Sequence, residues 1–167
     1  ELRTGADFTF GGRSAQGRPT LVLFWSVTCK HCQKEIPALV KHWQDHRNDY
    51  DVVTVTRLKK PKGGGGPNYR NLTLDYAKSL GLEWPLLEDP DGAVTERYGI
   101  VSTPTTVLVA ANGEVRDAWY YANTNFDETL VRLLPGLREN KGACRALPAP
   151  TRPVIELGMT DAKGQAA

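Results

Sequence analysis

Cys29 and Cys32 are two of only three cysteines in this 167-residue chain, and just Lys30 and His31 separate them. Thiols at this spacing exchange with disulfides or bind a soft metal. A structural zinc site needs a second pair of ligands. Cys144 is a single cysteine, and His42 and His46 fall on the helix expected to follow the motif, so that second pair is missing. No metal site is expected at the cysteines, and no cofactor is implied. Disulfide exchange requires a thiolate, because the protonated thiol is not the nucleophile.

The elements that would position the pair are legible on both sides of it. Thr20–Trp25 is a continuous apolar run, which reads as a strand buried on both faces. Beyond the cysteines, Ile36, Leu39, Val40 and Trp43 recur at the spacing of one helical face, and Pro37 inside that pattern is expected to kink the helix. Cys29 therefore stands where a helix begins, among unpaired backbone N–H groups and the positive end of the dipole. Such a place lowers a cysteine pKa from about 8.5 into the range of roughly 3.5–7.5. Cys32 lies within one turn, close enough to close a disulfide onto Cys29. Cys29 is the expected nucleophile and Cys32 the resolving thiol.

Further along, Asp51–Thr56 reads as a second core strand, parallel to the first through the intervening helix. Residues Arg57 to Arg70 form a loop whose four glycines, Gly63 to Gly66, lack the Gly-Lys-Ser/Thr ending of a phosphate loop. Leu72, Tyr76 and Leu80 mark a short helix that Gly81 is placed to end. Pro85 to Leu87 is extended, Asp89 to Gly92 is a turn, and Val94 to Tyr98 is a helical turn or two closed by Gly99. Thr103-Pro104 opens a strand over Thr105–Val109, and Asn112-Gly113 returns it as a hairpin over Glu114 to Tyr121. Asn125 and Glu128 have capping-box spacing before a last helix carrying Phe126, Leu130, Leu133, Leu134 and Leu137. A weak edge strand is expected within Asp7 to Arg18. Residues 1–140 make one domain, and residues 141–167, with Pro148, Pro150 and Pro153, are expected to be a poorly ordered tail.

Bulk properties narrow the function. The formal net charge of +2 gives no basis for nucleic-acid binding, and no apolar run is long enough to cross a bilayer. Three cysteines in a chain of 167 residues exclude a disulfide-stapled scaffold. Cys144 could be a free thiol, a link to another chain or a packing residue. The chain begins at Glu1 rather than Met, so a signal peptide or membrane anchor upstream is an open expectation.

The segment Phe24-Trp25-Ser26-Val27-Thr28-Cys29-Lys30-His31-Cys32-Gln33-Lys34-Glu35-Ile36-Pro37 resembles the active-site segment of thioredoxin-like proteins, in particular the extracytoplasmic TlpA/ResA branch. Tyr98-Gly99-Ile100 through Thr103-Pro104-Thr105-Thr106 resembles that family's second landmark, and the likeness runs from about Thr20 to Leu137. The resemblance implies an α/β thioredoxin-like fold, a central mixed β-sheet flanked by helices. It implies that Pro104 is a cis-proline facing the cysteines, with Thr103 offering backbone hydrogen bonds to an incoming peptide. It also implies a buried acid at Glu35, which can pass protons to and from Cys32. Spacing supports that role, since Cys32 and Glu35 are three apart on one helix. The aspartate that thioredoxin carries in the preceding strand is Leu23 here.

The same resemblance implies an extracytoplasmic location, protein dithiol or disulfide substrates with apo-cytochrome c among them, and a membrane or soluble thiol protein as electron donor. The Lys30-His31 dipeptide pulls the other way. A histidine before the second cysteine is similar to disulfide isomerases and oxidants, and positive charge there would favour the reduced pair. Reduction or exchange of protein disulfides is the leading reading. The alternatives are a disulfide oxidant or isomerase, a copper metallochaperone of the same fold, and a redox-inactive binding module.

Overall fold

The computed structural model describes residues 1–7, 18–58 and 66–138. Cys144, the expected tail, most of the expected edge strand and Gly63 to Gly65 of the glycine run lie outside those residues. The elements follow in the order β1 (Thr20–Trp25), α1 (Lys30–His46), β2 (Asp51–Thr56), α2 (Tyr69–Ser79), β3 (Leu86–Glu88), α3 (Ala93–Arg97), β4 (Thr105–Val109), β5 (Val115–Trp119) and α4 (Phe126–Arg138). They form one five-stranded sheet ordered β3-β2-β1-β4-β5. Strands β3, β2 and β1 are parallel, while β4 and β5 run antiparallel to their neighbours, so the sheet is mixed as expected.

The alternation of β1 explains why its sequence is apolar throughout. Leu21, Leu23 and Trp25 face a cluster built with Ile36 and Leu39 of α1, Ala77 of α2, and Phe126, Leu130 and Leu134 of α4. Val22 and Phe24 point to the opposite face, where they pack with Val55, Val107 and Val109 against Tyr98 and Ile100. Period-two alternation places successive side chains on opposite faces, and both faces are covered here, so no position tolerates a polar group cheaply. Burying each of the larger aliphatic side chains contributes about 1.5–3 kcal/mol.

Helix α1 runs unbroken from Lys30 to His46 through Pro37. Proline removes the N–H that would satisfy the carbonyl four residues earlier, that of Gln33. The Tyr76 hydroxyl of α2 donates to this carbonyl at 3.3 Å and replaces the lost bond. Gly81 ends α2 at a φ of 64°, with Gly81 N–H reaching the Lys78 carbonyl at 3.1 Å and Leu82 N–H the Ala77 carbonyl at 3.0 Å. This is the Schellman pattern that favours glycine.

Two features depart from the sequence reading. Strand β5 is shorter than Glu114 to Tyr121, and it carries a register shift against β4 between Leu108 and Val109. At the start of α4, Glu128 N–H donates to Asn125 Oδ1 at 3.3 Å, but the Glu128 carboxylate takes the Asn125 side-chain amide at 2.8 Å rather than its backbone N–H. The sequence also gave no sign that the first residues dock on the sheet edge. Leu2 is buried, its N–H donates to the Leu86 carbonyl at 2.7 Å, and its carbonyl accepts from Arg70 at 2.6 Å.

Candidate active site

Cys29 is the N-cap residue of α1, with extended backbone at φ −86° and ψ 112°. Its sulfur occupies the place of a capping oxygen and accepts the Cys32 backbone N–H at 3.2 Å. No acidic residue sits in the first turn of α1 to oppose the dipole. Cys29 is half-buried and Cys32 fully buried, and both are free thiols in this structure. Burial works against a Cys29 thiolate, but hydrogen bonds from the Cys32 thiol, from the Cys32 N–H and from the His31 N–H outweigh it, so the Cys29 pKa falls below the ordinary thiol value. Cys32 moves the other way. Burial first, then its hydrogen bond to Cys29 and the charge on that sulfur, push it up to about 12. The geometry thus shifts the two thiols in opposite directions, favouring the anion at Cys29 and the protonated thiol at Cys32.

Glu35 is fully buried one turn beyond Cys32. Its Oε1 accepts from the Thr106 hydroxyl at 3.0 Å. Burial raises its pKa to about 7, against the smaller opposing effects of Thr106, the Asn123 backbone N–H and the Trp119 indole. The last two groups lie near enough to favour the carboxylate, yet Oε2 makes no hydrogen bond of normal geometry. A carboxyl near pH 7 with one unsatisfied oxygen can both take and return a proton. Leu23, at the position of thioredoxin's aspartate, pairs with Thr106 across β1 and β4, so the acid enters from α1 and its hydrogen-bond partner from the sheet.

The third wall is the segment before β4. The Thr103–Pro104 peptide bond is cis. The Cys29 thiol donates to the Thr103 carbonyl at 3.4 Å, and Thr105 Oγ1 donates to the Ser102 carbonyl at 2.8 Å. Val101, three residues before Pro104, is 88% exposed. The structure therefore brings Cys29, Cys32, Glu35, Thr103 and Pro104 to the start of α1. Lys30 and His31 are also there, with exposed side chains on the rim. Cys29 and Cys32 belong to no cluster of three potential metal ligands among the described residues.

Sequence reasoning missed Thr106 and Trp119 as members of the site. A signal existed for Thr106, because Thr106 and Leu108 share the sheet face that meets α1 while Thr105, Val107 and Val109 face away. A hydroxyl at that inward position asks for a polar partner. Trp119 lies on β5, far from α1 in sequence, and the fold of that strand brings it to Glu35. Trp84 likewise joins Trp43 of α1, ring edge to ring face with centroids 5.4 Å apart.

Residues 2–118 match the model of the AhpC/TSA family. The chain belongs to that family. Within it, the chain is 27% identical over 101 residues to sporulation thiol-disulfide oxidoreductase A of Bacillus subtilis, covering 60% of this chain and 58% of that protein. It is 25% identical over 104 residues to thiol-disulfide oxidoreductase ResA of Halalkalibacterium halodurans, covering 62% of this chain and 54% of that protein. The matched region thus spans little more than half the length of these relatives. The crystal structure of StoA from Bacillus subtilis superposes with a TM-score of 0.57 at 26% identity, covering 70% of this chain and 81% of that one. These relatives bear out the thioredoxin-like fold and the TlpA/ResA likeness read from the two landmarks.

Proposed function

We propose that this chain is a thiol–disulfide oxidoreductase that reduces or exchanges disulfides in other proteins. The observation that carries the reading is the opposed pair of thiols at the start of α1, Cys29 held low and Cys32 held high. The Cys29 thiolate attacks one sulfur of a substrate disulfide, forming a mixed disulfide and expelling a substrate thiolate, which takes up a proton. Glu35 then removes the Cys32 proton. Cys32 attacks the Cys29 sulfur, forms the Cys29–Cys32 disulfide and releases the second substrate thiol. Two electrons and two protons reach the substrate, and a partner dithiol protein restores the pair.

The hydrogen bonds on Cys29 lower its pKa and so favour the anion that attacks. Resolution needs a base, because burial, the largest cause of the raised Cys32 pKa, persists in the mixed disulfide and keeps that thiol protonated. Each unit by which the donor's pKa exceeds the base's costs about 1.4 kcal/mol, so a base near 7 serves far better than an ordinary carboxyl. The exposed Val101 and the Thr103 backbone beside Cys29 are the surface an extended peptide would meet. We place the substrates outside the cytoplasm, with apo-cytochrome c among the candidates, on the strength of the TlpA/ResA likeness. Lys30 and His31 on the rim favour an oxidant or isomerase as the second reading, since positive charge beside Cys29 stabilises the reduced pair.

Insulin reduction tests the assignment. Cys29→Ser abolishes turnover, and Cys32→Ser accumulates a mixed disulfide on Cys29 that mass spectrometry detects. Multiple turnover by Cys29→Ser defeats the assignment of the nucleophile. A redox titration of the pair separates the directions: a potential near that of thioredoxin, about −270 mV, marks a reductant, and one near −120 mV marks an oxidant.

A further inference from the structure

At the other end of α1, away from the cysteines, His42 and His46 lie one turn apart with their rings stacked, centroids 4.3 Å apart and planes 18° from parallel. Asp127, in the first turn of α4, comes over the same spot. His42 is 5% exposed. Its Nδ1 is 2.7 Å from the Tyr50 hydroxyl, and its buried Nε2 has no hydrogen-bond partner. Asp127 Oδ1 is 3.5 Å from that Nε2, close but without hydrogen-bond geometry. His46 Nδ1 is 2.8 Å from Asp49 Oδ2.

We propose that His42, His46 and Asp127 form a binding site for a divalent zinc ion that ties α4 to α1. The potential ligand atoms of the three side chains all lie within 4.8 Å of one another. Both histidines have Nδ1 held by a protein oxygen, a hydroxyl in one case and a carboxylate in the other, which leaves Nε2 of each as the ring nitrogen for a metal. Metal-binding histidines are oriented in this way, with the second ring nitrogen engaged by an outer partner. Two imidazoles and a carboxylate suit zinc, with a water in the fourth position.

One of the distances already agrees with that ion. Tetrahedral bonds of about 2.0–2.1 Å set neighbouring ligand atoms about 3.3 Å apart. The separation of His42 Nε2 and Asp127 Oδ1 is already 3.5 Å. His42 is fixed by burial, whereas the Asp127 side chain is 83% exposed and that of His46 30% exposed, so Asp127 can close in and the His46 ring can turn out of the stack to aim its in-plane nitrogen at the ion. The unpartnered buried nitrogen of His42 is the strongest sign, because buried polar atoms in folded proteins are almost always satisfied. His42 is ten residues beyond Cys32, about 15 Å along the helix, so the site is separate from the redox pair.

The test uses untagged protein carrying Cys144→Ser, with the cysteine pair oxidised, so that thiolates do not compete for the metal. Zinc affinity and stoichiometry are read by competition with a chromogenic chelator, and thermal unfolding is followed with and without zinc. One zinc per chain is expected, with a rise in Tm. His46→Ala and Asp127→Asn, both at accessible positions, each weaken binding tenfold or more and abolish the Tm rise. Absence of saturable binding overturns the proposal, and so does either variant keeping its affinity within tenfold of the parent.

Discussion

Replacing Glu35 with Gln removes the charge while keeping the shape, and the structure sets the size and the sign of the consequence. Glu35 titrates near 4.5 in an unfolded chain and about 7 when folded, because burial disfavours the carboxylate more than Thr106 favours it. The folded protein therefore binds the proton more tightly. The stability this provides is fully present below about pH 4.5 and is lost as pH rises through 7. A difference of this size corresponds to about 3 kcal/mol, at 1.36 kcal/mol per unit. Glu35→Gln has no such dependence, so its stability relative to the parent improves by about 3 kcal/mol between pH 4.5 and pH 8. Urea denaturation of both fully reduced proteins across that range checks this, since the cysteine titrations cancel in the difference. A stability difference that stays flat with pH would refute the claim that burial perturbs Glu35. On the proposed mechanism activity moves in the opposite sense, because the variant lacks the base assigned to Cys32. Resolution of the mixed disulfide slows, and the pH–rate limb near 7 disappears.

Thr106→Val removes the hydrogen bond from the Thr106 hydroxyl to the Glu35 carboxyl, and the pH–rate limb assigned to Glu35 moves upward by about one unit or more, whereas Thr106→Ser leaves it in place. An unmoved limb in the valine variant would detach Thr106 from the proton path. Leu130→Ala opens the seam between α4 and α1, where Leu130 is 0% exposed, and costs about 2–5 kcal/mol in urea denaturation; a loss below about 1 kcal/mol would show that α4 is not part of the cooperative core.

The sequence by itself determined every element whose cause is local. The bounds of β1, β2 and β4 follow from runs of branched and apolar residues, the end of α2 from Gly81, and the β4–β5 turn from Asn112-Gly113, with Gly113 at a φ of 90°. The Cys29 position followed as well, because a strand ending at Trp25 and a helical stripe beginning at Ile36 leave it only the helix start. What keeps α1 helical through Pro37 was not legible. A helix interior with a missing N–H is expected to bend, and the compensating hydroxyl of Tyr76 comes from another helix more than forty residues away.

Only the tertiary structure decided which polar groups share a buried space. The meeting of Glu35 with Thr106, of Trp119 with Glu35, and of the α1 histidines with Asp127 depends on how β1 registers with β4 and where α4 lands on α1. Periodicity in one segment says which face is inward but carries no information on what stands opposite, because that is fixed by packing the whole chain. The Glu35 pKa has the same origin. The residue type sets the starting value, and the water excluded by α1, β4 and β5 sets where it ends.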